Sequence, residues 1–337
     1  MSNEYLSQQR KFPKFRRYVY NLAPLGKGGT TTLGGATPFP YGEVYDTIWL
    51  EFYITITGTG TTARAEGELW AIKNILIKSD KHDVLVNCSG RSLFYRARRI
   101  MKVAPPKDAI ATAAGTYKVA IPIHFTNKEN RRPYDTALDM NGVNYFEVTI
   151  TMGTETDLYT AVGTAVASYA VNITVMKSIY AADKTNRPIF QMYLYDMPPV
   201  DPTLSQNFEF EKTSNLGIMK LLCFTSDTTA LAGQRFTGQG LNTIFNKITF
   251  EDNVRQLLQQ IDQYNVQVDN TDDFLISVPA GMYILDLAKD NSLWSAYGVG
   301  GKSRVNLNWT NGAGAASGTQ VSVQIEGVKT LRQPSAA

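Results

Sequence analysis

The segment Asp46–Thr57 (DTIWLEFYITIT) decides the fold class, because apolar residues occupy every second position along most of it. Alternation with a period of two predicts a β-strand that buries one face and leaves the other partly exposed. The buried face carries Ile48, Leu50, Phe52, Ile54 and Ile56. Similar alternation recurs in KVAIPIHF (118–125), YFEVTITM (145–152), YAVNITVM (169–176), VNLNWT (305–310) and VSVQIEGV (321–328). The chain is therefore predicted to be all-β.

The order of predicted elements appears twice, once in each half of the chain. Each half has a long strand, a loop of small residues and threonine, a second strand, a short helix and further strands. The first-half strands are predicted at Ile48–Thr57, Leu69–Lys78, Tyr117–Phe125, Tyr145–Met152 and Ser168–Ile179. The second-half strands are predicted at Leu216–Thr225, Thr243–Phe250, Asp273–Pro279, Arg304–Thr310 and Gln320–Val328. A duplicated β-sandwich indicates a building block and not a catalyst.

Two segments change from the period of a strand to that of a helix. Apolar residues at helical spacing predict a helix at Arg91–Lys102 and another at Asn253–Gln263. The apolar stripes are formed by Leu93, Ala97, Ile100 and Met101 in the first helix, and by Val254, Leu257, Leu258 and Ile261 in the second. Ser89 or Ser92 would cap the first helix and Asp252 the second. One stripe is enough for each helix to lie over a sheet.

Length and proline content divide the chain into an arm and two domains. A chain of 337 residues suits two domains of about 150 residues each. The arm is predicted to span residues 1–40, because the glycines and prolines of GKGGTTTLGGATPFPYG (26–42) forbid a regular element there. The first domain then spans 41–197 and the second 198–337, with a stiff, proline-rich linker at Asp196–Thr203.

Composition favours protein–protein contacts. Only 19% of the residues are charged, whereas 11% are aromatic. Cys88 and Cys223 are predicted to be reduced thiols, because they lie far apart in apolar surroundings. The first residues lack the apolar core of a signal peptide, and no apolar run approaches the roughly 18 residues of a membrane span. We therefore expect the protein to be made and folded in the cytosol.

No motif for catalysis or for a cofactor stands out. His82 and His124 have neither a nearby cysteine nor paired carboxylates at metal-binding spacing. The stretch PLGKGGTTT (24–32) lacks the Walker spacing and the flanking strand and helix, so we expect no nucleotide there. The cluster DNTDD (Asp269–Asp273) lacks EF-hand spacing, and a solvated turn is expected. A structural calcium ion between domains or subunits is the alternative at that cluster.

The strongest partner signal is the basic arm. Against Glu4 alone, residues 1–28 carry six cations and hence a charge of +5, whereas the rest of the chain carries −2. The six cations are Arg10, Lys11, Lys14, Arg16, Arg17 and Lys27. Cations pair with phosphates, and the interleaved aromatic residues can insert at a lipid headgroup boundary or stack on bases. The arm is therefore expected to bind a polyanion (lipid headgroups or nucleic acid), to pack on a neighbouring subunit, or to do both.

Two paired blocks of sequence carry a family resemblance. The first consists of ILIKSD (75–80), SLFYRARRIM (92–101) and YKVAIPIHF (117–125). The second consists of KITFED (247–252), VRQLLQQI (254–261) and DDFLISVPA (272–280). Over residues 42–331, this order resembles the double jelly-roll major capsid proteins of tailless icosahedral viruses, many of which have an internal membrane. The size of the chain is similar to that of the small bacteriophage members.

The resemblance implies two tandem eight-stranded jelly-roll β-sandwiches, each with a short amphipathic helix. It also implies a structural major capsid protein that is not an enzyme and has no small-molecule substrate. Three copies would form a pseudo-hexameric capsomer, which tiles an icosahedral shell beside neighbouring capsomers and other capsid proteins. The arm would face an anionic inner membrane or the genome. The protein would be made in the host cytoplasm and would reside in the virion.

Two other functions compete with this interpretation. A tandem carbohydrate-binding, lectin-like protein would share the two sandwiches but would have little use for a basic arm. A glycan-cleaving jelly-roll enzyme would need paired carboxylates on inward-facing strand positions. Strands hold Glu51, Glu147 and Glu209, but nothing in the sequence marks any two of them as a pair.

Overall fold

Strands dominate the regular structure, as the alternating segments predict. The computed structural model describes residues 17–21, 25–34, 39, 44–58, 62–81, 83–126, 129, 136–161, 167–177, 189–196, 206–210, 216–227, 245–252, 256–262, 282–288, 293–299, 305–311 and 319–329. The first-half strands are β1 (Arg17–Asn21), β2 (Leu25–Gly26), β3 (Thr30–Gly34), β4 (Val44–Ile56), β5 (Thr62–Ala63), β6 (Ile72–Ser79), β7 (Asp83–Cys88), β8 (Gly115–His124), β9 (Leu138–Asp139), β10 (Phe146–Met152), β11 (Tyr159–Ala161), β12 (Ala167–Lys177) and β13 (Ile189–Asp196). The second-half strands are β14 (Gln206–Glu209), β15 (Leu216–Asp227), β16 (Phe245–Asp252), β17 (Gln256–Asp262), β18 (Met282–Asp286), β19 (Tyr297–Gly298), β20 (Val305–Asn311) and β21 (Thr319–Lys329). The helices are α1 (Gly67–Trp70), α2 (Gly90–Met101) and α3 (Glu155–Leu158), and a 3-10 turn forms at Leu293–Ser295.

The first half is a sandwich of two sheets around one core. Its first sheet has the strand order β1–β12–β4–β8, in which β4 pairs antiparallel with both neighbours. Its second sheet contains β3–β10–β6–β7. In β4, alternate residues from Ile48 to Ile56 are buried, whereas Trp49 and Tyr53 are half-buried. The period-two pattern of the opening segment thus faces the core as predicted.

Part of the segment predicted as an irregular arm forms strands. Thr30–Gly34 is β3, which pairs with β10 and contradicts the expectation that 26–42 holds no regular element. Threonine favours strands, and the edge of β10 offers free backbone groups for the ladder. Gly28 has a φ of +66° and supplies the preceding turn without the strain that a side chain would add. Upstream, Arg17–Asn21 pairs with β12, so within the described residues strand pairing in the first half begins at Arg17.

The first predicted helix is confirmed to within one residue at each end. The Ser89 hydroxyl caps α2 by accepting a hydrogen bond from the backbone N–H of Ser92 at 3.3 Å. A Cβ atom added to Gly90 would lie 2.4 Å from the Ile72 Cβ, so the helix begins in direct contact with β6. The C-cap residue Lys102 has a left-handed backbone, with a φ of 59°, and this ends the helix after Met101. Within the residues described above, no helix has the length and apolar character needed to cross a bilayer.

The prediction of a second helix at Asn253–Gln263 is wrong, because Gln256–Asp262 forms strand β17. This strand pairs antiparallel with β16, and its register shifts on both sides of Phe250. Residues 253–255 alone connect the two strands, so a hairpin forms locally and its ladder satisfies the backbone groups. A seven-residue segment with three apolar residues fits either period, and pairing with the neighbouring strand decides its structure.

One sheet runs through both halves of the chain. Its strand order is β18–β15–β21–β13–β7–β6–β10–β3. The joining strand is β13, which pairs antiparallel with β21 along its whole length. It also pairs parallel with β7, where Met192 lies beside Val86 and Tyr193 beside Asn87. The chain thus enters the second half's sheet before the linker predicted at Asp196–Thr203, of which residues 197–203 lie outside the described part.

The shared sheet divides its side chains between two cores. On β15, Leu222 and Phe224 belong to the core of the first half, whereas Leu221 and Cys223 belong to the core of the second. The second core is closed by a sheet with the strand order β14–β20–β16–β17. Members of that core near or on this sheet include Phe210, Phe250, Val305 and Leu307. The second-half part of the shared sheet is therefore buried on both faces.

Candidate functional site at the junction of the two halves

Three buried charged residues tie the two halves together. Arg96 and Arg99 project from α2, and Glu326 projects from β21. Arg96 donates to Glu326 Oε1 from Nη2 at 2.9 Å and from Nε at 3.2 Å. Arg99 donates from Nη2 to Oε2 at 2.6 Å. All three side chains are at most 3% exposed, so guanidinium groups of one half bind both oxygens of a carboxylate in the other.

Further charges surround this triad and balance it. Arg99 also donates from Nη1 to Glu129 Oε2 at 3.2 Å. Lys220 lies opposite Glu326 in the register of β15 and β21, and its Nζ donates to Asp286 Oδ2 at 2.5 Å. We call the six residues the junction cluster: Arg96, Arg99, Glu129, Lys220, Asp286 and Glu326. Three cations and three carboxylates allow burial without a net charge.

The junction cluster holds Glu326 in its ionised form. Burial alone would raise the pKa of this carboxyl group, but the charges of Arg96, Arg99 and Lys220 and a hydrogen bond from Arg96 lower it to about 2. Burial would likewise lower the pKa of the Arg99 guanidinium, and the surrounding carboxylates outweigh that effect and raise it. A buried ion pair of this kind adds little net stability, because burying the charges is itself costly. Removing one partner is nevertheless strongly destabilising, because the other charge then stays buried without compensation.

An aromatic contact lies beside the junction cluster and also joins the halves. The guanidinium carbon of Arg91 lies 4.7 Å from the centre of the Trp70 ring and 5.9 Å from that of Phe224 on β15. The ring centres of Tyr95 and Phe224 are 6.4 Å apart. Cations over aromatic faces attract through the ring quadrupole. Helix α2 therefore contacts the second half through both charged and aromatic side chains.

A cleft of about 400 Å³ opens beside this contact. Its lining comes from both halves, with Trp70, Lys73 and Leu194 from the first and Phe224 and Ser322 from the second. Across the described part of the chain, no three metal-ligating side chains come together, in the cleft or elsewhere. The lining of the cleft offers both polar and apolar contact.

Both cysteines are free thiols, as predicted, and both are buried. Burial raises the pKa of the Cys88 thiol to about 12, although the charge of Arg96 opposes this, and it raises the pKa of Cys223 to about 12. A thiol reacts and binds metals as the thiolate. Neither cysteine is therefore prepared for chemistry at neutral pH.

Of the six arm cations, the described residues include two. Arg17 begins β1, and its backbone lies beside Met176 at the edge of the first sheet. Lys27 forms an ion pair with Glu155 of α3 at 3.1 Å, which ties it to its own sandwich. The remaining arm residues lie outside the described part, namely Arg10, Lys11, Lys14 and Arg16. The role of the arm stays a prediction.

Of the other sequence candidates, His124 touches the junction cluster through its backbone, where its carbonyl accepts a hydrogen bond from Arg96 Nη1 at 3.2 Å. His124 is buried, and its Nδ1 lies 2.9 Å from the hydroxyl of Thr47, which fits a structural role. The carboxylates considered for glycan cleavage lie on three different strands: Glu51 on β4, Glu147 on β10 and Glu209 on β14. His82 and the acidic cluster Asp269–Asp273 lie outside the described residues, so the calcium prediction is untested.

The junction cluster was not predicted from the sequence. The helical pattern placed Arg96 and Arg99 away from the apolar stripe of α2, where solvated side chains are usual. Their spacing of three residues does put them on one face of the helix, and Glu326 shares a strand face with Gln324. That signal identifies two polar faces. It does not reveal that the faces meet.

The two sandwiches and their shared sheet define the double jelly-roll fold of viral major capsid proteins. The chain is similar to the major capsid protein P2 of bacteriophage PM2, with a TM-score of 0.61 and 11% identity over 95% of this chain and 99% of that one. It is similar to the STIV major capsid protein, with a TM-score of 0.64 and 12% identity over 96% and 100%. For the PBCV-1 virus capsid protein the TM-score is 0.67, with 12% identity over 95% and 94%. No family model and no curated protein sequence matches the chain.

Proposed function

We propose that this chain is a structural major capsid protein whose trimers form pseudo-hexameric capsomers of an icosahedral shell. The observation that carries the proposal is the similarity to capsid proteins along nearly the full length of both chains, as with 95% of this chain and 99% of PM2 P2. A match of that extent includes both sandwiches together and not one common β-sandwich alone. The protein would therefore act through its surfaces, in the virion, without a substrate.

The shared sheet supplies a physical reason for this function. Three copies with two sandwiches each give a ring of six similar lobes around a true threefold axis. Such a ring resembles a hexagon only when the angle between the lobes is the same in every copy. Strand β13 and the junction cluster join the lobes through backbone pairing and through buried ion pairs. Each copy would thus enter the lattice as one rigid body.

The trimer is tested by size-exclusion chromatography with light scattering. We expect a species near three times the chain mass of 37.4 kDa, and particles by electron microscopy at higher concentration. A monomer that is retained on a sugar column would contradict the capsid proposal and support the lectin-like alternative.

We also propose that the arm binds an anionic surface inside the shell, either a membrane or the genome. Residues 1–16 carry Arg10, Lys11, Lys14 and Arg16 ahead of β1, where the first sheet begins. Lys27 is already paired with Glu155 and Arg17 belongs to β1, so the four cations before β1 are the ones that would reach a partner. Each cation near an anionic membrane contributes roughly 1 kcal/mol of binding.

Removal of residues 2–16 is expected to leave the trimer intact and to abolish binding to anionic vesicles. Loss of four cations corresponds to a decrease in affinity on the order of 1,000-fold. Co-sedimentation with phosphatidylglycerol vesicles, with phosphatidylcholine vesicles and with DNA fragments measures the effect and separates the two partners. A control variant changes the four cations to glutamine and keeps the aromatic residues of the arm. It therefore separates the effect of charge from that of the aromatic side chains. Equal sedimentation of the truncated and full-length proteins would contradict the assigned role.

A further inference from the structure

The cleft beside helix α2 has a cationic lining. Two of the residues that line it are cations, Arg91 on α2 and Lys73 on β6, and among the described residues no carboxylate lines it. The Arg91 side chain is 6% exposed, whereas that of Lys73 is 46% exposed. Each cation also has an acidic partner outside the lining, which is Glu66 for Arg91 and Asp157 for Lys73. The groups that line the cleft therefore favour an anionic ligand.

The first turn of α2 adds a positive partial charge to this lining. The N-cap residue Ser89 and Ser92 of the first turn both line the cleft. The N-terminus of a helix directs backbone N–H groups away from the helix and attracts anions. Gly90 places this turn in direct contact with Ile72 of β6, and Lys73 is the next residue of that strand. The helix terminus and the lysine thus line the same cleft.

The indole nitrogen of Trp70 independently indicates a ligand that accepts hydrogen bonds. Trp70 lines the cleft, and its Nε1 atom is buried without a hydrogen-bond partner among the described residues. An indole N–H can only donate, so only an acceptor satisfies it. Buried donors without a partner are costly and rare in folded proteins. A negatively charged oxygen of a ligand would supply the acceptor.

Gln324 is a second buried polar group beside the cleft. Its side chain is 0% exposed, and within the described part of the chain neither its amide oxygen nor its amide nitrogen has a hydrogen-bond partner. It lies opposite Leu194 in the register of β13 and β21, and Ser322 shares its strand face two residues earlier. Since Leu194 and Ser322 both line the cleft, the Gln324 amide lies next to it.

We propose that this cleft binds a small organic phosphate monoester. Arg91, Lys73 and the N-terminus of α2 hold the phosphate group, and the indole N–H of Trp70 donates to one of its oxygens. A phosphate monoester offers up to two negative charges and three acceptor oxygens, which suits two cations and several donors better than a single carboxylate does. One copy of the chain supplies this lining, so binding does not depend on the proposed trimer.

The size and the remaining lining of the cleft indicate the organic part of the ligand. A volume of about 400 Å³ is in the range of clefts that bind whole small molecules, so the ligand is larger than inorganic phosphate. Leu194 and Phe224 offer apolar surface, and the Gln324 amide can pair with a polar group of the organic part. A neutral sugar fits less well, because Arg91 already lies over the Trp70 ring, 4.7 Å from its centre.

Titration calorimetry of the full chain tests the proposal with four probes: adenosine 5′-monophosphate, glucose 6-phosphate, inorganic phosphate and glucose. We expect at least one of the two monoesters to bind about 10-fold more tightly than inorganic phosphate, because only a monoester also buries apolar surface. The preferred monoester identifies the organic part. If neither monoester binds, if inorganic phosphate binds as tightly as both, or if glucose binds as tightly as glucose 6-phosphate, the proposal is overturned.

Lys73→Gln and its matched control Lys78→Gln then locate the site. Both lysines lie on β6, their side chains are 46% and 41% exposed, and each is paired with a carboxylate, but of the two only Lys73 lines the cleft. We expect Lys73→Gln to weaken binding of the preferred monoester by about 10-fold or more and Lys78→Gln to leave it unchanged. The arm is the same in both variants, so binding to its cations would weaken neither. Equal affinities of the two variants would overturn the assignment of the cleft.

Discussion

Replacing Glu326 with glutamine is expected to lower the free energy of unfolding by about 3–5 kcal/mol. Glutamine has the size and shape of glutamate, so the substitution creates no cavity. It removes the charge that compensates Arg96 and Arg99, whose side chains are at most 1% exposed. Arg96 would then lose its buried carboxylate partner and Arg99 would keep that of Glu129, and denaturant unfolding measures the cost.

Lys329→Ala provides the control on the same strand. Lys329 also joins the two halves, because its Nζ lies 3.1 Å from the carboxylate of Asp83 on β7. The Asp83 side chain is 77% exposed, and exposed pairs contribute about 0–1 kcal/mol. If both variants lose the same small amount of stability, the junction cluster is not what fastens the halves.

Acid should reduce the difference between the wild type and Glu326→Gln. The pKa of Glu326 is about 2 in the folded protein, against 4.5 for an unperturbed glutamate. Its contribution of about 3 kcal/mol is therefore complete above pH 4.5 and is lost as the pH falls towards 2. The variant lacks this titration, so the two free energies of unfolding should converge over that window. Parallel curves would contradict the assignment of the shift to Glu326.

The sequence predicts the strands well where one face of the strand is buried. Alternation in β4, β8, β10 and β12 is a local property of the sequence. It is sufficient to indicate which residues of these strands enter the core. The first helix is equally clear, because twelve residues give its period room to repeat and Ser89 marks its beginning. Local pattern is thus sufficient for long, one-sided elements.

Local pattern fails where partners distant in the sequence decide the structure. Gln256–Asp262 holds Leu257, Leu258 and Ile261 of the apolar stripe that predicted a helix, but it pairs as a strand with β16. Thr30–Gly34 lies among glycines, yet it completes the edge of β10. The junction cluster brings together Arg99 and Glu326, which are 227 residues apart in the sequence. Taken separately, the polar face of α2 and that of β21 would each be predicted to face solvent. Each of these features depends on how elements pack, which periodicity does not encode.

Phe224→Ala is expected to cost about 3–5 kcal/mol of stability and to loosen α2 in particular. Phe224 is 4% exposed and lies on a second-half strand, but it packs in the first core beside Tyr95 and Arg91. Its loss leaves a cavity directly under the helix, so backbone amides across Gly90–Met101 should exchange faster with solvent. Phe250→Ala is the matched control, because that ring is fully buried in the second core.

The two phenylalanine variants separate coupling between the halves from general loss of stability. Phe250→Ala should destabilise by a similar amount, while exchange should rise in β16 and β20 and stay slow in α2. If α2 stays equally protected in both variants, then the aromatic contact does not anchor the helix to the second half. Faster exchange confined to α2 in Phe224→Ala would mean that this aromatic contact, which comes from the second half, is what protects the helix.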